Sequence, residues 1–443
     1  MARRSRKKRL PAGEFEAVIE SLSHEGRGVT HIDGKAVFID GALPGERVMF
    51  RYVKRQRSFD NGIATSILER APDRVAPRCA HADVCGGCSL QHLAPEKQIA
   101  FKQQAMLEAL AHIGGVEPEE VLPPLTDAHW GYRRKARLGV RYVKKKGRVL
   151  VGFREKQSAF LADIEACPVL VPEVGERITE LCELIGAMDA REKIPQIEVA
   201  AGDNATVLVF RHLEPLSPGD IEKLRAFEAG SGLKLHLQAG GPDTVTPLTP
   251  ASDTPLYYEH PDYQVRVDIG PLDFFQVNAG INRRMVPLAL SLLALEPEHR
   301  VLDLFCGLGN FTLPIARHVG EVVGVEGDAA MVARARKTAI ANGIENTSYY
   351  VANLMGEMKN EPWLSWHYDR ILLDPPRAGA REVIEKIGPL GADRIVYVSC
   401  HPGTLARDAG ELVKTHGYRL VSAGVMDMFP HTAHVESIAL FVR

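Results

Sequence analysis

The segment Val301-Leu-Asp-Leu-Phe305, running directly into Cys306-Gly307-Leu-Gly309, constrains this chain more than any other stretch. A short apolar run that ends in closely spaced glycines predicts a buried strand, a tight loop and a following helix. Strand-like runs recur at residues 301–305, 322–326, 348–351, 370–373 and 394–399, mostly with helical patterns between them. Such alternation predicts a doubly wound parallel sheet with its ligand site at the carboxyl ends of the strands. Residues 419–425 and 435–442 are separated by a short loop and suit an antiparallel hairpin. Six parallel strands and one reversed strand are therefore expected.

Gly307-x-Gly309 lets a ligand approach the backbone closely, but Thr312 stands where a dinucleotide fingerprint has its third glycine. That argues against a nicotinamide enzyme. Glu326 ends the second strand 19 residues after Gly307, where a carboxylate can accept hydrogen bonds from ribose hydroxyls. Asp374-Pro375-Pro376 ends the fourth strand, and its prolines stiffen a loop that holds Asp374 toward the cleft. Arg377 follows in place of an aromatic residue, which disfavours amino methylation of adenine. Cys400 closes the next strand, Arg394-Ile-Val-Tyr-Val-Ser-Cys400. The arrangement matches a Rossmann-like S-adenosylmethionine (SAM) methyltransferase carrying a cysteine nucleophile. A thiolate there suits addition to C6 of a pyrimidine, which turns C5 into a carbon nucleophile. A general base must then remove the C5 proton, and Glu436 in His434-Val-Glu436-Ser437 is the candidate. Cys182 and Cys306 are expected to be ordinary buried cysteines.

Cys79-x5-Cys85-Gly-Gly-Cys88 is joined by a distant Cys167-Pro168. Four thiolates in that pattern suit structural zinc or an iron–sulfur cluster, and the spacing departs from that of SAM-radical enzymes. His81 is expected to be a loop residue. Seven cysteines, an odd and clustered set, point to ligation in a reducing cytoplasm rather than a disulfide framework.

Residues 11–71 are expected to form a small β-barrel, with short strands punctuated by Gly26, Gly28, Gly34, Gly41 and Pro44-Gly45. Arg51, Tyr52, Lys54, Arg55, Arg57 and Phe59 interleave cations with rings, as single-stranded RNA binding requires. The net charge of −2 hides two basic blocks, one in residues 1–9 and one in residues 133–156. Both favour a polyanion through counterion release. No stretch approaches the roughly 20 apolar residues of a membrane span, and no apolar signal core follows the basic start, so a cytoplasmic location is expected.

Together these residues resemble the RNA uracil-C5 methyltransferase family along almost the whole chain, and the turns around Gly26-Arg-Gly28 and Gly41–Glu46 resemble the TRAM RNA-binding barrel. The expected fold class is α/β: a basic tail and OB-like TRAM barrel (1–71), a central α+β domain with the four-cysteine site and a basic RNA-binding segment (72–270), and a Rossmann-like SAM methyltransferase domain (271–443). The resemblance implies C5 methylation of a uridine in 23S ribosomal RNA, with position 1939 expected. It implies a [4Fe-4S] cluster on Cys79, Cys85, Cys88 and Cys167. It further implies SAM contacts from Gln276, Phe305, Asn310, Glu326, Asn353 and Asp374, with Cys400 as nucleophile and Glu436 as base. No membrane and no obligate protein partner are implied. His401 departs from the family's usual asparagine after the cysteine. The alternatives are another 23S or tRNA uridine, or an inactive metal-containing RNA-binding or assembly factor. Cytosine-C5 methylation is disfavoured because Pro375-Pro376 leads to arginine rather than cysteine.

Overall fold

A computed structural model describes residues 10–358 and 361–443, so the basic N-terminal block of residues 1–9 lies outside the described residues. The chain separates into two compact units. One comprises Met1–Phe101, Phe153–Ala162 and Pro430–His434, the other Lys102–Gly152, Asp163–Phe429 and Val435–Arg443.

The first unit is built on six strands: β1 (Phe15–Val18), β2 (Ser21–Leu22), β3 (Gly28–Ile32), β4 (Lys35–Asp40), β5 (Arg47–Arg55) and β6 (Phe59–Glu69). Their order is β1-β5-β6-β4-β3-β2. Because β1 and β2 are consecutive pieces of one segment at opposite ends of that order, the sheet closes on itself, which removes its edges. Its interior is packed by Ala17, Ile19, Val37, Ile39, Ala42, Val48 and Phe50. Gly28 faces this interior, where a Cβ would lie 2.9 Å from Ile19. The barrel is thus the one expected, with one more strand (β3) than the sequence made evident.

The second unit contains two sheets and a hairpin. Strands β8 (Lys135–Val143), β9 (Arg148–Gly152), β10 (Gln196–Ala201), β11 (Thr206–Arg211), β12 (Lys234–Gln238) and β13 (Val245–Pro247) form a sheet in the order β13-β12-β11-β10-β8-β9. On β8 the period of two buries Ala136, Leu138 and Val140 and turns Lys135, Arg137 and Arg141 outward. Part of the basic block is consumed internally. Buried Arg134 donates to the Ala201 carbonyl and to Asp203, and Lys146 and Arg148 share Asp163. A hairpin of β14 (Leu256–His260) and β15 (Val265–Ile269) follows.

The larger sheet carries β16 (Arg300–Leu304), β17 (Glu321–Glu326), β18 (Thr347–Val351), β19 (Arg370–Leu373), β20 (Arg394–Ser399), β21 (Arg419–Met426) and β22 (Glu436–Val442). With β7 (Glu120–Val121) at one edge, the order is β18-β17-β16-β19-β20-β22-β21-β7. β22 runs antiparallel to both neighbours, and the others run parallel, so the six-plus-one arrangement is present. The additional short β7 pairs with β21 and was not evident in the sequence. A single core joins this sheet to the helix Ala279–Leu293 and to the hairpin through Tyr258, Val267, Phe275 and Ile281.

Candidate active site

The loop after β16 turns on backbone that few residues adopt. Phe305, Gly307 and Gly309 have φ of 65°, 56° and 95°. At Gly307 a Cβ would meet nothing closer than the Met331 methyl at 3.6 Å, so the loop presents bare backbone to an open space. Glu326, at the end of β17, accepts from the amides of Gly307 (3.2 Å), Gly327 (2.7 Å) and Asp328 (3.1 Å). Three amides fix the carboxylate beside the loop: two meet Oε1 and one meets Oε2, which retains acceptor capacity for a ligand hydroxyl.

Asn310 is held differently. Its carbonyl oxygen accepts from Tyr258, His260 and Asn282 at 2.9–3.1 Å, and its amide donates back to Asn282. This network ties the loop to the β14 strand and the helix Ala279–Leu293. His260 is held below the ordinary histidine range by burial, so it serves as a neutral partner. Asn353 is exposed after β18, its oxygen accepting from the Met355 amide. Gln276 is partly exposed in the segment before the helix Ala279–Leu293. Two residues earlier, Phe274 is 69% exposed, a large ring in solvent on the same segment. Sequence reasoning missed it, although two adjacent phenylalanines in a turn are an unusual place for apolar surface.

The carboxyl ends of β19 and β20 and the start of β22 bring Asp374, Cys400 and Glu436 together electrostatically: each of the two carboxylates raises the thiol, and Asp374 raises Glu436. Burial, then Glu436 and Asp374, push Cys400 up to about 11, with Arg377 pulling the other way. Glu436 is 5% exposed. Burial and Asp374 push it up to about 8 against the opposing charge of Lys102. Asp374 keeps part of its surface open to solvent, yet desolvation raises it to about 7. On β16, Asp303 is fully buried, accepts from the Thr312 hydroxyl, and is also raised to about 7 by burial first. An acid inside the apolar run of β16 was the available signal for it.

His401 has a local structural role. It is the N-cap of the helix Pro402–Lys414, its Nδ1 accepting from the Thr404 amide at 3.2 Å. An asparagine would cap the same turn through its side-chain oxygen, so the substitution preserves the cap.

No disulfide joins any of the seven cysteines. Cys79, Cys85 and Cys88 lie on one loop of the first unit. There the Cys85 amide donates to the His81 carbonyl and the Gly87 amide to Cys85 Sγ at 3.4 Å. Cys167 belongs to the second unit, its amide donating to Gly175. Among the described residues no group of three or more His, Cys, Asp or Glu is arranged to hold a metal ion. Cys306 is buried, and Cys182 is raised by burial, as inert thiols are. The first unit also holds a cavity of about 550 Å³ lined by Arg70, Arg74, His92 and Lys156 between β6 and the cysteine loop. No helix among the described residues is long and apolar enough to cross a membrane.

A six-plus-one sheet, a glycine loop with an acid at the next strand end, and a thiol facing two carboxylates define a Rossmann-like methyltransferase. The sequence matches the tRNA (Uracil-5-)-methyltransferase family over residues 271–443 and the TRAM domain over residues 9–51. It is 56% identical to the 23S rRNA (uracil(1939)-C(5))-methyltransferase RlmD of Alkalilimnicola ehrlichii, covering 99% of this chain and 98% of that protein. Identity to the RlmD of Alcanivorax borkumensis is 54%, covering 100% and 99%. Among solved structures, Pyrococcus abyssi tRNA (uracil-54, C5)-methyltransferase in complex with S-adenosyl-L-homocysteine superposes with a TM-score of 0.72 at 25% identity, over 97% of this chain and all of that one. The chain belongs to the RNA uracil-C5 methyltransferase family, and its full-length relatives include the RlmD enzymes.

Proposed function

We propose that this chain methylates C5 of a uridine in 23S ribosomal RNA, at the position its RlmD relatives are named for, with Cys400 as nucleophile and Glu436 as base. The observation that carries the reading is the convergence of Cys400, Asp374 and Glu436 at the strand ends beside the glycine loop. SAM, when bound, supplies an electrophilic methyl group. Gly307 and Glu326 would hold its adenosine part, and Gln276, Phe305, Asn353 and Asp374 would line the remainder. Asn310 acts by anchoring the loop on which these depend.

At neutral pH the resting thiol is protonated, so attack is coupled to loss of its proton to a neighbouring carboxylate. The sulfur bonds to C6 as the C5–C6 double bond opens, and electron density moves to C5 and O4. After C5 has acquired the methyl group, Glu436 takes the C5 proton, the double bond re-forms and the sulfur leaves. Once ionised, a carboxylate raised to about 8 is a stronger base than an ordinary glutamate, so this transfer quickens as pH rises through that value. Reaching a pyrimidine edge requires the base to be single-stranded or flipped out of its helix. The exposed ring of Phe274 would stack on it, and Arg51, Lys54 and Arg57 on the barrel would contact phosphates.

The four thiols Cys79, Cys85, Cys88 and Cys167 suit a [4Fe-4S] cluster by donor type, as the family resemblance implies; all are partly exposed, and a backbone amide is directed at Cys85 Sγ. We assign the cluster no step. Incubation with SAM and 5-fluorouridine-containing 23S fragments tests the chemistry, because fluorine at C5 blocks the elimination and traps the adduct. Mapping 5-methyluridine in ribosomal and transfer RNA, with and without the protein, tests the substrate. Modification appearing only in transfer RNA would replace the ribosomal reading.

A further inference from the structure

The reaction just described makes no use of Lys102, yet this lysine is completely buried, with 0% exposure, on the helix Pro95–Ala109. Its Nζ donates to Asp427 Oδ1 at 2.7 Å and to the Phe429 carbonyl at 2.9 Å. Asp427 is itself 1% exposed, and its amide donates to Leu125. Burying an ammonium and a carboxylate together costs desolvation that apolar side chains of similar volume would avoid. A pair kept under that penalty calls for another role. Asp427 follows β21 directly, and β22 begins at Glu436.

The charges that face Glu436 come from several elements. Asp374, after β19, opposes its ionisation, and Lys102 favours it. Cys400, after β20, feels Glu436 and Asp374 as like charges and Arg377 as an opposite one. Glu436 in turn favours the charged form of Lys102, alongside Asp427, against the burial that disfavours it. Glu436 pairs across the strands with Met426, the residue before Asp427, so the Lys102–Asp427 pair lies beside the base, and Lys102 is the cation of this cluster that acts on it.

We propose that Lys102, clamped by Asp427, is a positioning residue for Glu436: its buried charge balances the carboxylate that removes the C5 proton, an inference that rests on the role given to Glu436 above. Lys102 acts on the second half of the reaction. Thiol addition and methyl transfer precede its influence, and adduct breakdown depends on it.

The test uses the full-length protein, uridine-containing 23S fragments and SAM in single-turnover experiments between pH 6 and 10, with adduct formation and adduct decay followed separately. In K102M, adduct decay at pH 7 is expected to slow by about 10- to 100-fold while adduct formation changes by less than about threefold. The pH profile of decay should move in the alkaline direction by about one unit. A larger isotope effect from deuterium at C5 should accompany it, and K102R should restore most of the rate. Because K102M leaves Asp427 buried without its cation, K102M/D427N is the second variant, expected to fold and to show the same slow decay. Unchanged decay and an unmoved pH profile in a folded K102M/D427N protein would overturn the proposal, as would a loss confined to KM for RNA. If the wild-type protein itself forms neither adduct nor 5-methyluridine, the reading of the reaction fails rather than this inference.

Discussion

The two units bury carboxylates in opposite ways. In the barrel unit, Glu46 is fully buried, yet it accepts from the amides of Leu43 and Ala71 and from Nε and Nη2 of the Arg74 guanidinium. Asp60, 2% exposed, is met by Lys35 and Arg55. Burial pushes both acids up, but these partners outweigh it and hold each below the usual carboxylate range. In the methyltransferase unit, Asp303 and Glu436 are equally buried, but no arginine grips either, and both are raised. One Asp303 oxygen has no hydrogen-bond partner at all. A satisfied carboxylate holds a fold together, whereas an unsatisfied one is kept for a proton or a ligand.

The sharpest break in that contrast concerns the thiol. Cys400→Ala should reduce methyl transfer roughly 10^4-fold or more and abolish the fluorouridine adduct, because nothing else in the cluster can add to C6. The adduct is read as a shift on a denaturing gel. Next in size, Glu436→Gln should slow adduct breakdown about 10^2- to 10^4-fold. It should also leave the protein as stable as wild type or more so at pH 9, because the wild-type residue must then carry its charge against burial and Asp374, which outweigh Lys102. Glu46→Gln should do the opposite, costing about 3–5 kcal/mol of stability by stranding Arg74, measured by denaturant unfolding. If Glu436→Gln destabilised as strongly as Glu46→Gln, the distinction between the units would be wrong.

The pH dependence sharpens the comparison further. Asp303 and Glu436 have folded values raised to about 7 and about 8, so the folded state holds their protons more tightly than the unfolded chain does. Their contribution to stability is present in acid and lost as pH rises through that range. Glu46 and Asp60 are depressed, so theirs is present at neutral pH and lost as pH falls through their folded values. Hydrogen exchange from about pH 2 to pH 9 should therefore show the barrel loosening at the acid end and the methyltransferase unit at the alkaline end. Adduct formation should meanwhile rise about tenfold per pH unit between pH 7 and 9, following the thiolate fraction of a group at about 11. The smallest effect is expected at the cap: His401→Asn should change stability by less than about 0.5 kcal/mol, and His401→Ala should cost about 1 kcal/mol.

Much of the methyltransferase sheet was legible because each strand is a short apolar run and most crossovers hold a helix, so parallel pairing and right-handed connections leave few arrangements. The barrel was legible through its glycine turns, but β3 was not, because Gly28-Val-Thr-His-Ile32 mixes polar residues into a short strand. Among site residues, Glu326 and Cys400 could be placed from strand ends alone. Asn310 could be located but not understood, since its partners come from residues 258, 260 and 282. The basic block at 133–156 reads in sequence as an RNA-binding segment, whereas in the fold Asp203, Glu198 and Asp163 take several of its charges.

By itself the amino-acid order determined the local periodicities, the glycine loop, the spacing of the thiols and the identity of the groups able to do chemistry. Only the tertiary structure decided which of those groups share an environment. Lys102 meets Asp427 across 325 positions of chain, and no pattern along the sequence encodes that meeting. The physical reason is that propensity acts over a few neighbouring residues, while desolvation and charge act through space on whatever the fold brings near.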